Sequence, residues 1–251
     1  MNKAWAISTA LLAFVIGLIA MAPATLLSDW AYRQSGGHVQ LTQANGTVWS
    51  GHAILALQGN TTDETAAIGA VRWKISAAQL LMGKLSAAVH WNDAPPAWLT
   101  MDSARTHVEH AVLDFPASTL ARFIPAVQAA QLEGRITMQT ENLTFSHDAI
   151  QGEILIDWLQ ASSPLSAVSP LGNYRLSLKG GQGGLAMLLT TLEGALILDG
   201  SGMWSQANGL NFEGNASAAP DKQKPLADLL RVLGNEQVAG SGNYRISLQA
   251  R

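Results

Sequence analysis

The stretch GNYRLSL at residues 172–178 returns almost unchanged as GNYRISL at residues 242–248. A second match precedes it in the same order, because the tripeptide LEG occurs at residues 132–134 and again at residues 192–194. Each copy continues through a glycine-containing segment and a proline-containing connection before its GNYR segment. A repeat kept in order predicts two stacked β-units of similar topology rather than a chance similarity. The predicted units cover residues 132–178 and 192–248.

Segments in which apolar and polar residues alternate also dominate the rest of the chain. A period of two is the pattern of a β-strand, whose successive side chains point to opposite faces. In the first such segment, GTVWSGHAILAL at residues 46–57, small residues occur on both faces, which indicates that both faces are partly covered. The predicted strands are 46–57, 67–75, 84–91, 106–115, 134–140, 149–158, 173–179, 195–199, 210–218 and 243–249, and turn signals lie at 45–46, 172–173, 200–202 and 208–209.

Helices are expected to be short and few. Ser76 can cap a helix over residues 77–84, and a stretch from Pro116 toward Leu132 is interrupted by a further proline. Residues 185–192 form an apolar run that suits a helix or a strand. The clearest helix is PLADLLRVLG at 225–234, with proline at its first position, leucines on one side and glycine just past its last turn. Its apolar face is expected to pack on the sheet.

The N-terminal segment predicts a membrane anchor at residues 1–28. No charged residue lies between Lys3 and Asp29. The apolar residues 4–22 can cross the hydrocarbon core of a bilayer, since a helix needs about 20 residues for that. The positive-inside tendency places the N-terminus in the cytoplasm and residues 29–251 on the other side.

A cleavable signal peptide is the alternative, because Ala22-Pro23-Ala24 has the small-x-small form of a cleavage site. An uncleaved anchor is preferred for two reasons. The apolar region is longer than the apolar core of a usual signal peptide, which has about 7–15 residues, and a proline falls inside the cleavage site. The predicted fold is therefore mainly β: an N-terminal transmembrane helix followed by a curved, repeat-built antiparallel β-sheet, half-barrel or groove-like, with a few short helices.

Composition excludes several classes of function. The chain has 251 residues, a net charge of -3 and only 13% charged residues, which argues against a nucleic-acid partner. It contains no cysteine, so disulfide frameworks, thiolate metal sites and cysteine nucleophiles are excluded. An exported domain without disulfides fits a bacterial periplasm better than a small secreted animal module.

No motif predicts catalysis, and we assign no catalytic, cofactor-binding or metal-binding residue. The cluster HVEH at residues 107–110 lacks the His spacing of metalloproteases. The glycine-rich residues 179–184 lack the Lys-Ser/Thr that completes a phosphate-binding loop, and Ser50 and Ser241 have no recognisable base. The carboxylates are expected to face solvent; they are Asp63, Glu64, Glu133, Glu153, Glu193 and Glu213.

The tryptophans are the most informative side chains, because five of the eight lie in or beside predicted strands. Large aromatic residues in strands usually pack in the core. The alternative is an apolar groove or partner surface, since a curved sheet with apolar residues on both faces can leave one face available. The five are Trp49, Trp73, Trp91, Trp158 and Trp204.

This combination of features resembles the type II secretion system protein N family over nearly the whole chain. The resemblance rests on the order of several short motifs after the N-terminal anchor. They are G-x-V-W-x-G at Gly46, Val48, Trp49 and Gly51; V-x-W-x-I with L-L-x-G at Val71, Trp73, Ile75, Leu80, Leu81 and Gly83; P-L-G-N-Y at Pro170 to Tyr174; and G-x-Y at Gly242 and Tyr244. The second of these motifs is also similar to parts of membrane-anchored β-groove proteins that handle lipids.

The resemblance implies a non-enzymatic accessory subunit of the bacterial type II secretion system. Its members look like single-pass inner-membrane proteins with a periplasmic β-domain. The implied partners are other secretion components, either in the inner membrane or at the outer-membrane channel, together with membrane lipid. The alternative function is a membrane-anchored, periplasmic lipid-binding or lipid-transfer protein. The sequence assigns no partner-binding residue and implies no cofactor.

Overall fold

The computed structural model describes residues 14, 17–58, 65–122, 131–147, 149–238 and 240–250. The chain divides into two compact units, unit 1 over Met1–Pro96 and unit 2 over Ala97–Arg251. Both are mainly β, and nearly every strand pairs antiparallel with its neighbour along the chain. The prediction of a mainly β protein with antiparallel strands and few short helices is confirmed. The half-barrel curvature and the stacking of two repeated units stay predictions.

The described residues of unit 1 form four strands in the order β1-β2-β3-β4, each antiparallel to the next. A helix precedes them, and a single helical turn joins the third strand to the fourth. The elements are α1 (Thr25–Gln34), β1 (Val39–Gly46), β2 (Ser50–Gln58), β3 (Thr65–Ile75), α2 (Ala77–Leu80) and β4 (Leu85–Trp91).

Two tryptophans form the buried face of unit 1. The ring of Trp73 lies over Gly51 on the neighbouring strand, where a Cβ atom would come within 2.5 Å of the ring. The ring of Trp91 lies in the same way over Gly69, at 2.7 Å from such an atom. Residue Ala53 and the chain just before α1 complete this core. The prediction that Trp73 and Trp91 are core residues is confirmed, since both are buried.

Unit 2 contains the remaining strands in the order β5 to β12, then β14 and β13. A helix and the short strand β13 are inserted before the last strand, so β14 pairs with β12 rather than only with its predecessor. The elements are β5 (Ala97–Met101), β6 (Arg105–Pro116), a 3-10 helix (Ala117–Arg122), β7 (Glu133–Ser146), β8 (Ile150–Ser162), β9 (Gly172–Gly181), β10 (Gly184–Gly194), β11 (Leu196–Ser205), β12 (Gly209–Ala218), α3 (Gln223–Leu233), β13 (Asn235–Glu236) and β14 (Tyr244–Ala250).

The helix α3 packs on the sheet of unit 2, as its leucine pattern predicts. Leu226 and Leu230 are buried against the strands β11, β12 and β14. Pro225 is the third helical residue rather than the first, because the helix begins at Gln223. Helix α3 and the strands beneath it share one cluster of buried side chains, which consists of Leu171, Leu196, Ala216, Ala218, Leu226, Leu230 and Tyr244.

Most predicted strands are confirmed, with several corrections. β1 and β5 were not predicted, because one is rich in polar residues and the other is only five residues long. The segment at 46–49 is mainly a turn, and β2 begins at Ser50. The ambiguous run 185–192 is part of a strand. The predicted turn at 200–202 is wrong, since these residues lie inside β11, and residues 172–173 are the first two residues of β9.

The predicted anchor falls mainly outside the described residues, which begin at residue 14 and run without a gap from residue 17 to residue 58. Residues 17–20 are helical, and α1 follows after a short break. Among the residues that the structure describes, no helix combines the length and the apolar character that crossing a bilayer requires.

Replacing Leu226 with alanine is expected to destabilise the protein by about 2–5 kcal/mol, because the change leaves a cavity beneath α3. Val232→Ala is the matched control, since Val232 lies on the same helix and is 85% exposed, against 0% for Leu226. The control is expected to change the free energy of unfolding by less than about 0.5 kcal/mol. Urea denaturation of the full chain in mild detergent measures both, and equal losses would contradict the packing of α3 on the sheet.

Candidate functional site

The turn between β1 and β2 is bound to the chain that enters the β-structure from the N-terminus. We call residues 46–51 the junction turn. Three hydrogen bonds and one isolated β-bridge join it to residues 19–24, so that the end of the N-terminal segment has a fixed place on unit 1. The bonds run from Trp49 Nε1 to the Ile19 carbonyl (2.8 Å), from the Val48 N–H to the Ala22 carbonyl (2.9 Å) and from the Ala24 N–H to the Gly46 carbonyl (3.1 Å), and the bridge joins Pro23 to Thr47.

Two glycines and a tryptophan explain why the junction turn adopts this path. Gly46 has φ +93°, a left-handed conformation that favours glycine. A Cβ atom at Gly51 would lie 2.5 Å from the Trp73 ring and 2.6 Å from the Asn45 carbonyl oxygen. The Trp73 indole N–H in turn donates to the carbonyl of Thr47 at 3.2 Å and to that of Val48 at 3.1 Å. The motifs G-x-V-W-x-G and V-x-W therefore meet in one cluster.

The GNYR segments place a tyrosine and an arginine on opposite faces of the unit 2 sheet. Tyr174 is buried, donates its hydroxyl to the Leu196 carbonyl at 2.9 Å, and has its pKa raised by that burial. Arg175 makes two bonds to Asp157, at 2.7 and 2.8 Å, which raise the pKa of its guanidinium. In the second copy Tyr244 is buried and Arg245 bonds to a carboxylate on β12. The arginine pairs join neighbouring strands, and the Tyr174 hydroxyl joins β9 to β11 across the intervening β10.

On one face of the unit 2 sheet, apolar side chains form rows that run across the strands β6 to β10. The strand register places the members of each row side by side. We call the eight half-buried residues of two adjacent rows the apolar strip. They are Leu113, Met138, Ile156, Leu176 and Leu189 in the first row and Ile154, Leu178 and Met187 in the second.

The opposite face of the same strands is mostly polar. It holds the Arg175–Asp157 pair and a shallow cavity of about 330 Å³ lined by residues that include His110, Glu141 and Glu153. Side chains of neighbouring strands are hydrogen-bonded on this face, since the Ser177 hydroxyl donates to the Glu153 carboxylate at 2.5 Å. The two faces of the sheet therefore differ sharply in chemistry.

The HVEH cluster is not assembled into a metal site in the described part of the chain. His107 contacts Glu109 at 3.0 Å and Thr144 at 2.8 Å, as expected for strand residues two apart on one face. His110 lies apart from them, exposed, with φ +52°. Within the described residues no group of three or more potential ligands could hold a metal ion.

The other polar candidates have structural places. Residues 179–184 end β9 and begin β10 through a tight turn, while Ser50 opens β2 and Ser241 precedes β14. Asp63 and Glu64 lie outside the described residues. Glu133 is exposed at the start of β7. Three predicted carboxylates accept hydrogen bonds from the adjacent strand, namely Glu153 from Ser177, Glu193 from Asn173 and Glu213 from Arg245.

The other three strand-associated tryptophans differ in environment. Trp158 is half-buried and tilted at 44° against Tyr174, with ring centres 5.6 Å apart, and its indole N–H donates to the Glu133 carbonyl. Trp49 is half-buried in the junction turn, and Trp204 is exposed near the end of β11. Sequence reasoning did not identify the apolar strip, although the alternation within each of its strands is visible in the sequence.

A family model described as type II secretion system (T2SS), protein N matches residues 37–247. The match includes the junction turn, the apolar strip and both GNYR segments. No curated protein and no solved structure gives a significant match to the chain.

The substitution Gly51→Ala is expected to destabilise unit 1 by about 1–3 kcal/mol, because the new methyl group would overlap the Trp73 ring. Gly181→Ala is the matched control, since no described atom lies within 4 Å of the position that its Cβ would occupy. Thermal denaturation of the full-length variants compares them. Equal midpoints for both variants would show that the junction turn does not need a glycine beneath Trp73.

Proposed function

The chain belongs to the type II secretion system protein N family, and we propose that it is a non-enzymatic accessory subunit anchored in the inner membrane. The anchor would lie within residues 1–28, before the point at which Ala24 joins the core of unit 1. Residues 29–251 would belong to the periplasmic β-domain that contacts other components of the apparatus. The observation that carries this proposal is the family match over residues 37–247, which assigns the chain to protein transport by type II secretion.

The junction turn supports the proposed anchoring. It holds residues 19–24 against unit 1 by backbone hydrogen bonds and by the Trp49 indole. A segment that is apolar up to residue 22 thus meets the β-structure at a defined point instead of through a free linker. These hydrogen bonds would couple the position of an anchor to that of the strands of unit 1. This arrangement suits a subunit whose β-domain must stay close to the membrane.

The apolar strip supports the proposed contact with a secretion component. Its leucine, isoleucine and methionine side chains are half-buried, and each square ångström removed from water is worth about 25 cal/mol. The backbone N–H and C=O groups of these strands pair with the neighbouring strands of the sheet. A partner would therefore bind the strip through side chains. Family membership supports another protein of the secretion apparatus as that partner.

The polar side chains support a non-catalytic role. Glu153, Glu193 and Glu213 accept hydrogen bonds from neighbouring strands, and Asp157 pairs with Arg175. Groups engaged in holding strands together are poorly placed to act as acids, bases or ligands. Members of the protein N family are components of the secretion machinery without a catalytic task.

Lipid binding is the second candidate function, and one observation favours it. Both rows of the apolar strip consist of leucine, isoleucine and methionine alone. Such a surface offers an acyl chain continuous apolar contact and offers a polar partner no hydrogen bond from a side chain.

Photocrosslinking in cells tests the proposal with two adjacent positions on β9. A photoreactive amino acid replaces Leu178 in the strip, and in a separate variant it replaces the exposed Lys179 on the opposite face. We expect Leu178 adducts to contain a protein of the type II secretion apparatus and Lys179 adducts to contain much less of it. Mass spectrometry identifies the adducts.

Leu178 adducts that contain lipid alone would favour the second candidate. Equal adducts from both positions, or adducts with unrelated proteins alone, would contradict the strip as the contact surface. Secretion and assembly of the apparatus that stay intact after deletion of the gene would contradict the accessory role itself.

A further inference from the structure

The loop between β3 and β4 exposes three consecutive large apolar side chains, Leu80, Leu81 and Met82. Leu81 is 91% exposed, more than any other large apolar residue in the described part of the chain, and Met82 is 79% exposed. Gly83 closes the loop with φ +74°. We call residues 76–84 the apolar loop. Exposure of large apolar side chains to water is unfavourable. A contiguous exposed group of them therefore indicates a site that contacts another apolar surface.

The apolar loop lies at the end of unit 1 that receives the N-terminal segment. The Ile75 N–H, at the last residue before the loop, donates to the Trp49 carbonyl at 2.7 Å. The indole N–H of Trp49 donates to the carbonyl of Ile19 at 2.8 Å. Two hydrogen bonds therefore connect the base of the loop to the incoming segment, which itself exposes Met21 at 78%.

The charges around the apolar loop suit an anionic surface. The sequence KISAAQLLMGK at residues 74–84 holds two lysines and no acidic residue. Lys74 and Lys84 stand at the two bases of the loop and are exposed. A lysine can keep its ammonium group at the level of lipid phosphates while neighbouring apolar side chains enter the acyl region.

The size of the loop distinguishes a bilayer from a protein partner. A stable protein interface buries about 800 Å² on each partner, which is more than three side chains can supply. A bilayer needs no such area here, because an anchored chain would already hold the loop next to the membrane. The anchor would give the loop a high effective concentration at the bilayer surface, so a weak apolar contact would suffice for binding.

We propose that Leu81 and Met82 of the apolar loop insert into the headgroup–acyl boundary of the bilayer that holds residues 1–28, with Lys74 and Lys84 at its anionic phosphates. This inference rests on the proposed anchoring. The loop and the N-terminal segment would give unit 1 two points of contact with the membrane. Two points fix the orientation of unit 1 relative to the bilayer, which a single flexible anchor does not.

Single-cysteine labelling tests the proposal, because the chain contains no cysteine of its own. Leu81→Cys in the full-length protein carries the fluorophore NBD, and the protein is reconstituted into vesicles of phosphatidylcholine and phosphatidylglycerol. We expect the emission to shift to the blue, to rise about two-fold or more, and to be quenched by lipids that carry a doxyl group near the top of the acyl chain.

Thr65→Cys is the matched control. Thr65 is the exposed first residue of β3, whose last residue, Ile75, precedes the loop. Ten residues of extended strand separate them by about 33 Å. A label at Thr65 is expected to keep the emission of an aqueous environment and to resist quenching by lipid.

A label at Met21→Cys separates failure of this inference from failure of the anchor. Quenching at Met21 without quenching at Leu81 would overturn the loop contact and leave the anchor intact. Quenching at neither position would overturn both, whereas quenching at Leu81 alone would support the loop and contradict the anchor.

Reversing both lysine charges, in Lys74→Glu together with Lys84→Glu, provides a second measurement on the Leu81 label. The change is expected to weaken quenching in vesicles with phosphatidylglycerol more than in vesicles of phosphatidylcholine alone. An equal effect in both would overturn the role assigned to the lysines.

Discussion

Antiparallel pairing between strands that follow one another along the chain is the constraint on which the rest of this structure depends. Without cysteines the protein has no disulfide, so backbone hydrogen bonds and side-chain burial must hold it together. Pairing of each strand with its chain neighbour uses mainly local contacts. Its register is unbroken through the rows of the apolar strip, which is why apolar side chains collect on one face of the unit 2 sheet there.

Aromatic rings over glycines are the second recurring device. Trp73 and Trp91 use it in unit 1, and in unit 2 a Cβ atom at Gly200 would lie 2.5 Å from the Phe212 ring. A large ring can lie flat over the neighbouring strand only where that strand has no side chain beneath it, and a glycine provides such a position. The device buries large aromatic area in a sheet that has few helices to cover it.

Burial and exposure divide the molecule into parts with different tasks. The junction turn and the cluster beneath α3 are structural, because their side chains are engaged with one another. The apolar strip on unit 2 and the apolar loop on unit 1 leave apolar side chains available. Exposed apolar surfaces are consistent with membership of the protein N family, since a component of a secretion apparatus works through contacts with other components.

Local pattern in the sequence determined the mainly β fold, most strand positions and the packing of α3, because alternation and leucine spacing are properties of neighbouring residues. The ordered motifs determined the family. Tertiary structure alone decided that residues 46–49 lie in the junction turn and that residues 200–202 lie inside a strand. A glycine that signals a turn locally can instead receive an aromatic ring from the next strand. It also decided that Trp49 meets Ile19 and that Leu81 stays exposed. Contact and exposure depend on residues far apart in the chain, and no local period encodes them.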